Sequence, residues 1–215
     1  MKIRKIGWTS FLLEGEKITV LTDPLKYLEV QKSFPKNKAD VCLFTNYDKE
    51  VKERILKDNG LEEKIVANVR EEIMEINLPG EYEVGGLMIR RGIGEDFFVI
   101  DEGTLRIVYM GDTDNSFDPE KVSDLGDVDV LIIPVGDGVD FMDFDKIEKV
   151  LSKTDPAILI PCSYREEFEK NSNLKTKDEF IKHFGFATVR NENYLKVDKK
   201  KVEMDQQSVE VVFLQ

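Results

Sequence analysis

Imidazole is nearly missing: the 215-residue chain has one histidine, His183. Zinc hydrolase centres, Ser-His-Asp triads and Cys-His dyads all lean on that ring, so one copy excludes most of them. Cysteine is almost as scarce. Cys42 and Cys162 each sit in an apolar run, as reduced buried thiols do, and a reducing compartment disfavours a disulfide between them. No apolar run nears the ~20 residues of a membrane span. The opening "MKIRKIGWTSFLLEGEK" lacks the apolar core and cleavage site of a signal peptide. Basic residues are outnumbered 31 to 43, for a formal net charge of −12. Phosphate backbones and anionic membranes are therefore repelled overall. The tract "KVDKKKVEM" is the best candidate for a local basic patch and reads as the exposed turn of a hairpin. Ser/Gly-rich linkers and short repeats are lacking too. The expectation is an acidic, cytoplasmic protein with one domain over residues 1–215, a small molecule or a protein as partner, and neither nucleic acid nor membrane.

Hydrophobic residues make up 41% and charged residues 34%, a balance that folds and buries a core. The Lys and Glu excess, with few Gln, points toward a thermophilic source. The first half reads as strands. "KIRKI", "SFLLE" and "KITVLT" are β-rich runs, with a hairpin turn at Glu14-Gly15-Glu16 and Pro24 ending the third. "ADVCLFT" is continuously apolar, as in a strand covered on both faces. Behind it Val51, Ile55 and Leu56 recur at helical spacing up to Gly60. Further β segments follow to "LRIVYMG", with a tight hairpin at Gly85-Gly86. The second half alternates: a short helix at Pro119, strand "VDVLIIPVG", helix "DFDKIEKVLSKT", strand "PAILIPCSY", helix "KTKDEFIKHFG" and three closing strands. Two sheets with helices on their outer faces is the economical arrangement.

Polar clusters sit at several strand ends. In "VCLFTNYDKEV", Asn46, Asp48 and Glu50 follow a buried strand. Asn46 or Asp48 can cap the helix behind them while Glu50 complements its positive end. The same oxygens can ligate Mg²⁺, Mn²⁺ or Ca²⁺. In "YMGDTDN", Asp112 either holds an Asx turn or lines a ligand crevice at the strand's carboxyl end. Cys162 and Ser163 follow another buried strand, but no histidine base is near in sequence, so Cys162 reads as a structural thiol. His183 falls in the last turn of its helix, where a cation favours the dipole. The loops "RGIGED" and "VGDGVD" match no phosphate-binding fingerprint and read as turns.

Together these segments resemble the metallo-β-lactamase superfamily, most closely its ascorbate-6-phosphate lactonase-like Zn-dependent hydrolase branch. "IGWTSFLLEGEKITVLTDP", "PGEYEVGGLMI", "VYMGDTDN", "LGDVDVLIIPVGDG" and "AILIPCSY" carry the resemblance, in order, over residues 1 to about 195. It implies an α/β fold, a four-layer αββα sandwich. The metal ligands do not follow. Trp8 stands where the family has a histidine, and Asp23 matches the Asp of its first motif. The His-x-His-x-Asp-His motif falls on Asn46 to Val51, where Asp48 and Glu50 replace a histidine and the aspartate. Asp112 matches the metal-bridging aspartate, and Ser163 replaces a further histidine. The expectation is a pseudoenzyme with a degenerate metal site and no cofactor, serving a binding or regulatory role. Its vestigial crevice comprises Trp8, Asp23, Asn46, Asp48, Glu50, Asp112, Cys162 and Ser163. The alternative is a phosphoester or lactone hydrolase whose carboxylates, Asp48 and Asp112 with Asp23 and Glu50, hold Mg²⁺ or Mn²⁺. A third, metal-free nucleophilic catalysis by Cys162, lacks a base.

Overall fold

The computed structural model describes residues 1–24, 34–45, 64–137, 140–165, 173–198 and 208–215. Two mixed sheets face each other. The first holds β15-β1-β2-β3-β5-β7 in spatial order, where β1 is Lys2–Gly7, β2 Ser10–Glu14, β3 Thr19–Thr22, β5 Val41–Leu43, β7 Met74–Ile76 and β15 Leu195–Lys196. The second holds β14-β16-β13-β12-β11-β10-β9-β8. Its strands are β8 Gly80–Val84, β9 Leu87–Arg91, β10 Phe98–Glu102, β11 Leu105–Tyr109, β12 Val130–Pro134, β13 Ile158–Cys162, β14 Thr188–Glu192 and β16 Glu210–Leu214. A small parallel ladder pairs β4, Asn37–Lys38, with β6, Ile65–Val66.

Alternation along the strands builds the core. Ile3, Phe11, Leu13, Val20 and Leu43 of the first sheet meet Ile89, Ile100, Ile107, Ile132, Ile160 and Val212 of the second. β12 and β13 are buried along their whole length, so both faces are apolar, as their continuous runs predict. The outer face of the second sheet is covered by α1 (Phe144–Thr154) and α2 (Lys177–Phe184), with Val108, Leu131, Ile147, Val150 and Phe180 in one cluster. The outer face of the first buries Leu12, Leu21, Cys42 and Phe44 against Phe34, Ala39 and Ile65. The helix expected behind Val51 lies outside the described residues.

Local chemistry sets the element ends. Asp143 caps α1 by accepting from Lys146 N, and Thr176 with Glu179 forms a reciprocal capping box on α2, which Gly185 ends in the left-handed conformation. Gly85 and Gly86 turn β8 into β9 with positive φ at both. The segment at Pro119 is a single 3₁₀ turn, Pro119–Val122.

Most of "KVDKKKVEM", where a hairpin turn is expected, lies outside the described residues; of the strands on either side, β15 pairs with β1 in the first sheet, while β16 pairs with β13 and β14 in the second. The two flanking strands satisfy different sheets, so they are not each other's partners. Cys42 lies on the outer face of the first sheet and Cys162 lies between the sheets, and they form no disulfide with each other. Among the described residues, no helix is long and apolar enough to cross a membrane.

Candidate functional site

At one end of the two sheets, three candidate residues share an uncommon backbone state. Trp8, in the turn from β1 to β2, has φ 54°; Asp23, just past β3, has φ 35°; Ser163, just past β13, has φ 52°. A left-handed residue other than glycine costs about 1–2 kcal/mol, and such strain gathers where a fold aims side chains at a site. The end of β12 adds Asp137, at φ 43°.

Asp23 is the anchor beneath this end. It is 3% exposed. Oδ1 accepts from Thr45 N at 2.8 Å, and Oδ2 accepts from Thr45 Oγ1 and from the Tyr109 hydroxyl, both at 2.6 Å. Tyr109 Oη also lies 2.7 Å from the Thr9 carbonyl. Burial pushes the Asp23 carboxyl up to about 6, and the nearby Asp112 charge adds to this against the opposing hydrogen bonds from Thr45 and Tyr109. Burial, with Asp23 beside it, raises the Tyr109 phenol well above its ordinary value. Gly111 closes the gap: a Cβ there would lie 2.1 Å from Tyr109 Oη and 2.3 Å from Asp23 Oδ2. Only a residue without a side chain lets β11 deliver Asp112 past this network.

Trp8 packs its ring on Phe141, centroids 5.7 Å apart. Its Nε1 is buried without a hydrogen-bond partner among the described residues, and so is Thr9 Oγ1, although Thr9 is 0% exposed; the buried Ser163 hydroxyl faces the Cys162 thiol. The Cys162 thiol is buried and pushed up to about 12 by that burial, with Lys5 opposing and Asp23 and Asp112 adding to the rise. It is a thiol, not a thiolate, at neutral pH. Lys5 points between the sheets from β1, its ammonium 4.8 Å from the Tyr164 ring centroid.

The structure therefore brings Trp8, Asp23, Asp112, Cys162 and Ser163 to one end of the sandwich. Trp8 and Asp112 are half-buried, and the other three are buried. Asn46, Asp48 and Glu50 lie outside the described residues. The Asx turn in "GDTDN" belongs to Asp114, not Asp112: Asp114 Oδ1 accepts from Ser116 N at 2.7 Å. His183 is not among the residues gathered there: it is exposed in the last turn of α2, its ring tilted against Phe144 and edge-on to Phe184, and it lines a groove with Asp137. Lys5, Thr9, Thr45, Tyr109 and Arg91 carry the arrangement yet were not singled out by pattern. Arg91 donates to the Phe44 and Thr45 carbonyls at 2.9 and 2.7 Å and so fixes the strand end that grips Asp23. An arginine amid a β run gives no sign of that reach.

A family model described as the beta-lactamase superfamily domain matches residues 2–163. The chain belongs to that superfamily. A protein of Thermotoga maritima assigned as a Zn-dependent hydrolase of the metallo-β-lactamase superfamily superposes with TM-score 0.75 at 25% identity, over 100% of this chain and 98% of the other. Igni18, a metallo hydrolase of Ignicoccus hospitalis, gives TM-score 0.57 at 16% identity over 92% and 99%. YhfI of Bacillus subtilis, a metallo-β-lactamase fold protein, gives 0.57 at 10% over 100% and 95%. No curated protein matches the chain significantly.

Among the described residues, no group of three or more His, Cys, Asp and Glu is set to hold a metal ion. Both Asp23 oxygens are engaged within the protein, and the Cys162 thiol lies in the apolar core between the sheets. These described residues do not fit a zinc ion.

Proposed function

We propose that this metallo-β-lactamase-fold protein works without tightly bound zinc, as a binding or regulatory protein whose crevice takes a small polar molecule. The observation that carries the reading is two buried polar groups with no hydrogen-bond partner among the described residues, on Trp8 and Thr9, beside the buried hydroxyl of Ser163. A buried donor or acceptor left unmade costs about 1–3 kcal/mol. Two such groups in the turn from β1 to β2, with the Ser163 hydroxyl at another corner of the same strand-end cluster, argue for an occupant that pairs with them. The indole N–H donates, while the two hydroxyls donate or accept. A carboxylate or amide of modest size meets all three. Lys5 and Asp112 border the same space with opposite charge.

Metal analysis of protein purified without chelator is expected to give zinc, manganese and magnesium well below one equivalent. A thermal-shift screen of small carboxylic acids and amides is expected to raise Tm in the wild type. Ser163→Ala and Thr9→Val should blunt that rise. Stoichiometric zinc would overturn the reading. Mn²⁺-dependent hydrolysis of phosphoesters or lactones, lost in Asp112→Ala, would replace it with a carboxylate-based enzyme.

A further inference from the structure

A second polar concavity lies on the outer side of the first sheet, away from the crevice. It is an open groove of about 670 Å³ lined by Arg4, Lys36, Lys38 and Lys64, with Glu14 as its one carboxylate among the described residues. β1 separates the two places residue by residue: Lys5 points between the sheets and the adjacent Arg4 points outward.

The ladder of β4 and β6 explains the crowding. Asn37 pairs with Ile65 in parallel register, so Lys36 and Lys64 stand side by side at the entrance of the ladder, where neighbouring strands are about 4.8 Å apart. Ile65 is buried against the core of the outer face, which turns Lys64 and Val66 the other way, toward the groove. Lys38 stands on the Lys36 side of β4 by the same alternation. Like charges facing across a ladder are unfavourable. Among the described residues, no carboxylate forms an ion pair with Lys36, Lys38 or Lys64. Glu14 is already shared between Arg4, at 2.7 Å, and Lys2, at 3.1 Å. Asp40, beneath Thr19, spends its oxygens on the backbone N–H groups of Thr19, Val69 and Arg70. Neutral donors complete the lining, from Asn37 and Asn68. In a chain of net charge −12, three clustered lysines with no ion pair among the described residues are conspicuous.

We propose that this groove is a binding site for a small, multiply charged oxyanion of the phosphate-ester or polyphosphate class. An anion with two or more phosphate groups relieves the Lys36–Lys64 repulsion and adds charge-assisted hydrogen bonds to Lys38 and Arg4. The volume suits a small molecule. The overall negative charge works against a long nucleic-acid backbone, which would extend beyond the basic lining.

The test titrates inorganic pyrophosphate and tripolyphosphate into the full chain at about 150 mM salt, read by calorimetry and thermal shift, with sulfate as the singly placed anion. Lys36→Ala/Lys64→Ala is compared with Lys182→Ala, a lysine far from the groove. Saturable binding that favours tripolyphosphate, falls at least about tenfold in the double variant and persists in Lys182→Ala supports the site. Should the double variant misfold, Lys38→Gln alone is expected to weaken binding severalfold. Equal responses of wild type and double variant, or no saturable response in wild type, would overturn the site. A single-stranded RNA oligomer that binds more tightly than tripolyphosphate would overturn the small-molecule class.

Discussion

The hydroxyl of Tyr109 reaches across the sandwich to Asp23 Oδ2 at 2.6 Å, joining residues 86 positions apart in the chain. One phenolic proton faces two acceptors there, because the Thr9 carbonyl lies at 2.7 Å. This contact ties the ends of β3 and β11 and the β1–β2 turn into one unit.

Tyr109→Phe keeps the ring packing on Phe11 but removes that hydroxyl. The buried Asp23 oxygen and the Thr9 carbonyl then each lose a partner. A loss of about 2–3 kcal/mol in unfolding free energy is expected, measured by urea denaturation at pH 7. A change below about 0.5 kcal/mol would show that the contact is energetically idle.

The Asp23 carboxyl titrates near 6 when folded, above its ordinary 3.8. A raised carboxyl means the native state holds the proton more tightly than the unfolded chain. Its stabilising contribution is therefore complete below pH 3.8 and disappears as pH rises through about 6. Asp23→Asn removes this titration, and its amide can donate to the same hydroxyls. The stability of Asp23→Asn relative to wild type should climb between pH 4 and 6.5 by on the order of 3 kcal/mol, then level off. A pH-independent difference would refute the assignment.

Asp40 behaves in the opposite sense. Burial opposes its charge, but backbone N–H groups from Arg70, Thr19 and Val69 outweigh that and hold the carboxyl below its ordinary range. Its contribution is present above about pH 4 and is lost as pH falls further. Asp40→Asn must turn an amide N–H toward a backbone donor, because both original oxygens accept. Destabilisation by about 2–3 kcal/mol at pH 7 is expected, with the gap narrowing as pH falls below the ordinary carboxylate range.

Cys162 should resist iodoacetamide in the native protein at pH 8, reacting at least about a hundredfold more slowly than a free thiol, and should alkylate fully in urea. Burial and a thiol pushed up to about 12 both demand this. Rapid native labelling at Cys162, located by mass spectrometry, would restore it as a nucleophile.

Much of the framework was legible because one physical signal sufficed for each element. β12 and β13 are apolar throughout since both faces are covered. The helix ends were marked by Asp143, Thr176 and Gly185, whose chemistry is local. Long-range features were not visible. The strands on either side of "KVDKKKVEM", β15 and β16, join different sheets, which strand pattern does not reveal. Tyr109 looked like any core aromatic, since its partner is distant in sequence. Asp112 and Asp114 are two residues apart in one loop, and only the folded turn reveals which one accepts from Ser116. The basic groove escaped notice for the same reason: Lys36 and Lys64 become neighbours only through parallel pairing of short strands.

Positions 8 and 163 sit on corners wound in the rarer hand for L-amino acids, and neither has a glycine to relieve it. Imidazoles reinstated there, as Trp8→His with Ser163→His, would inherit vertices that the main chain already supplies. Rebuilding a coordination sphere in this scaffold is thus a matter of exchanging side chains, with the loops left as they are.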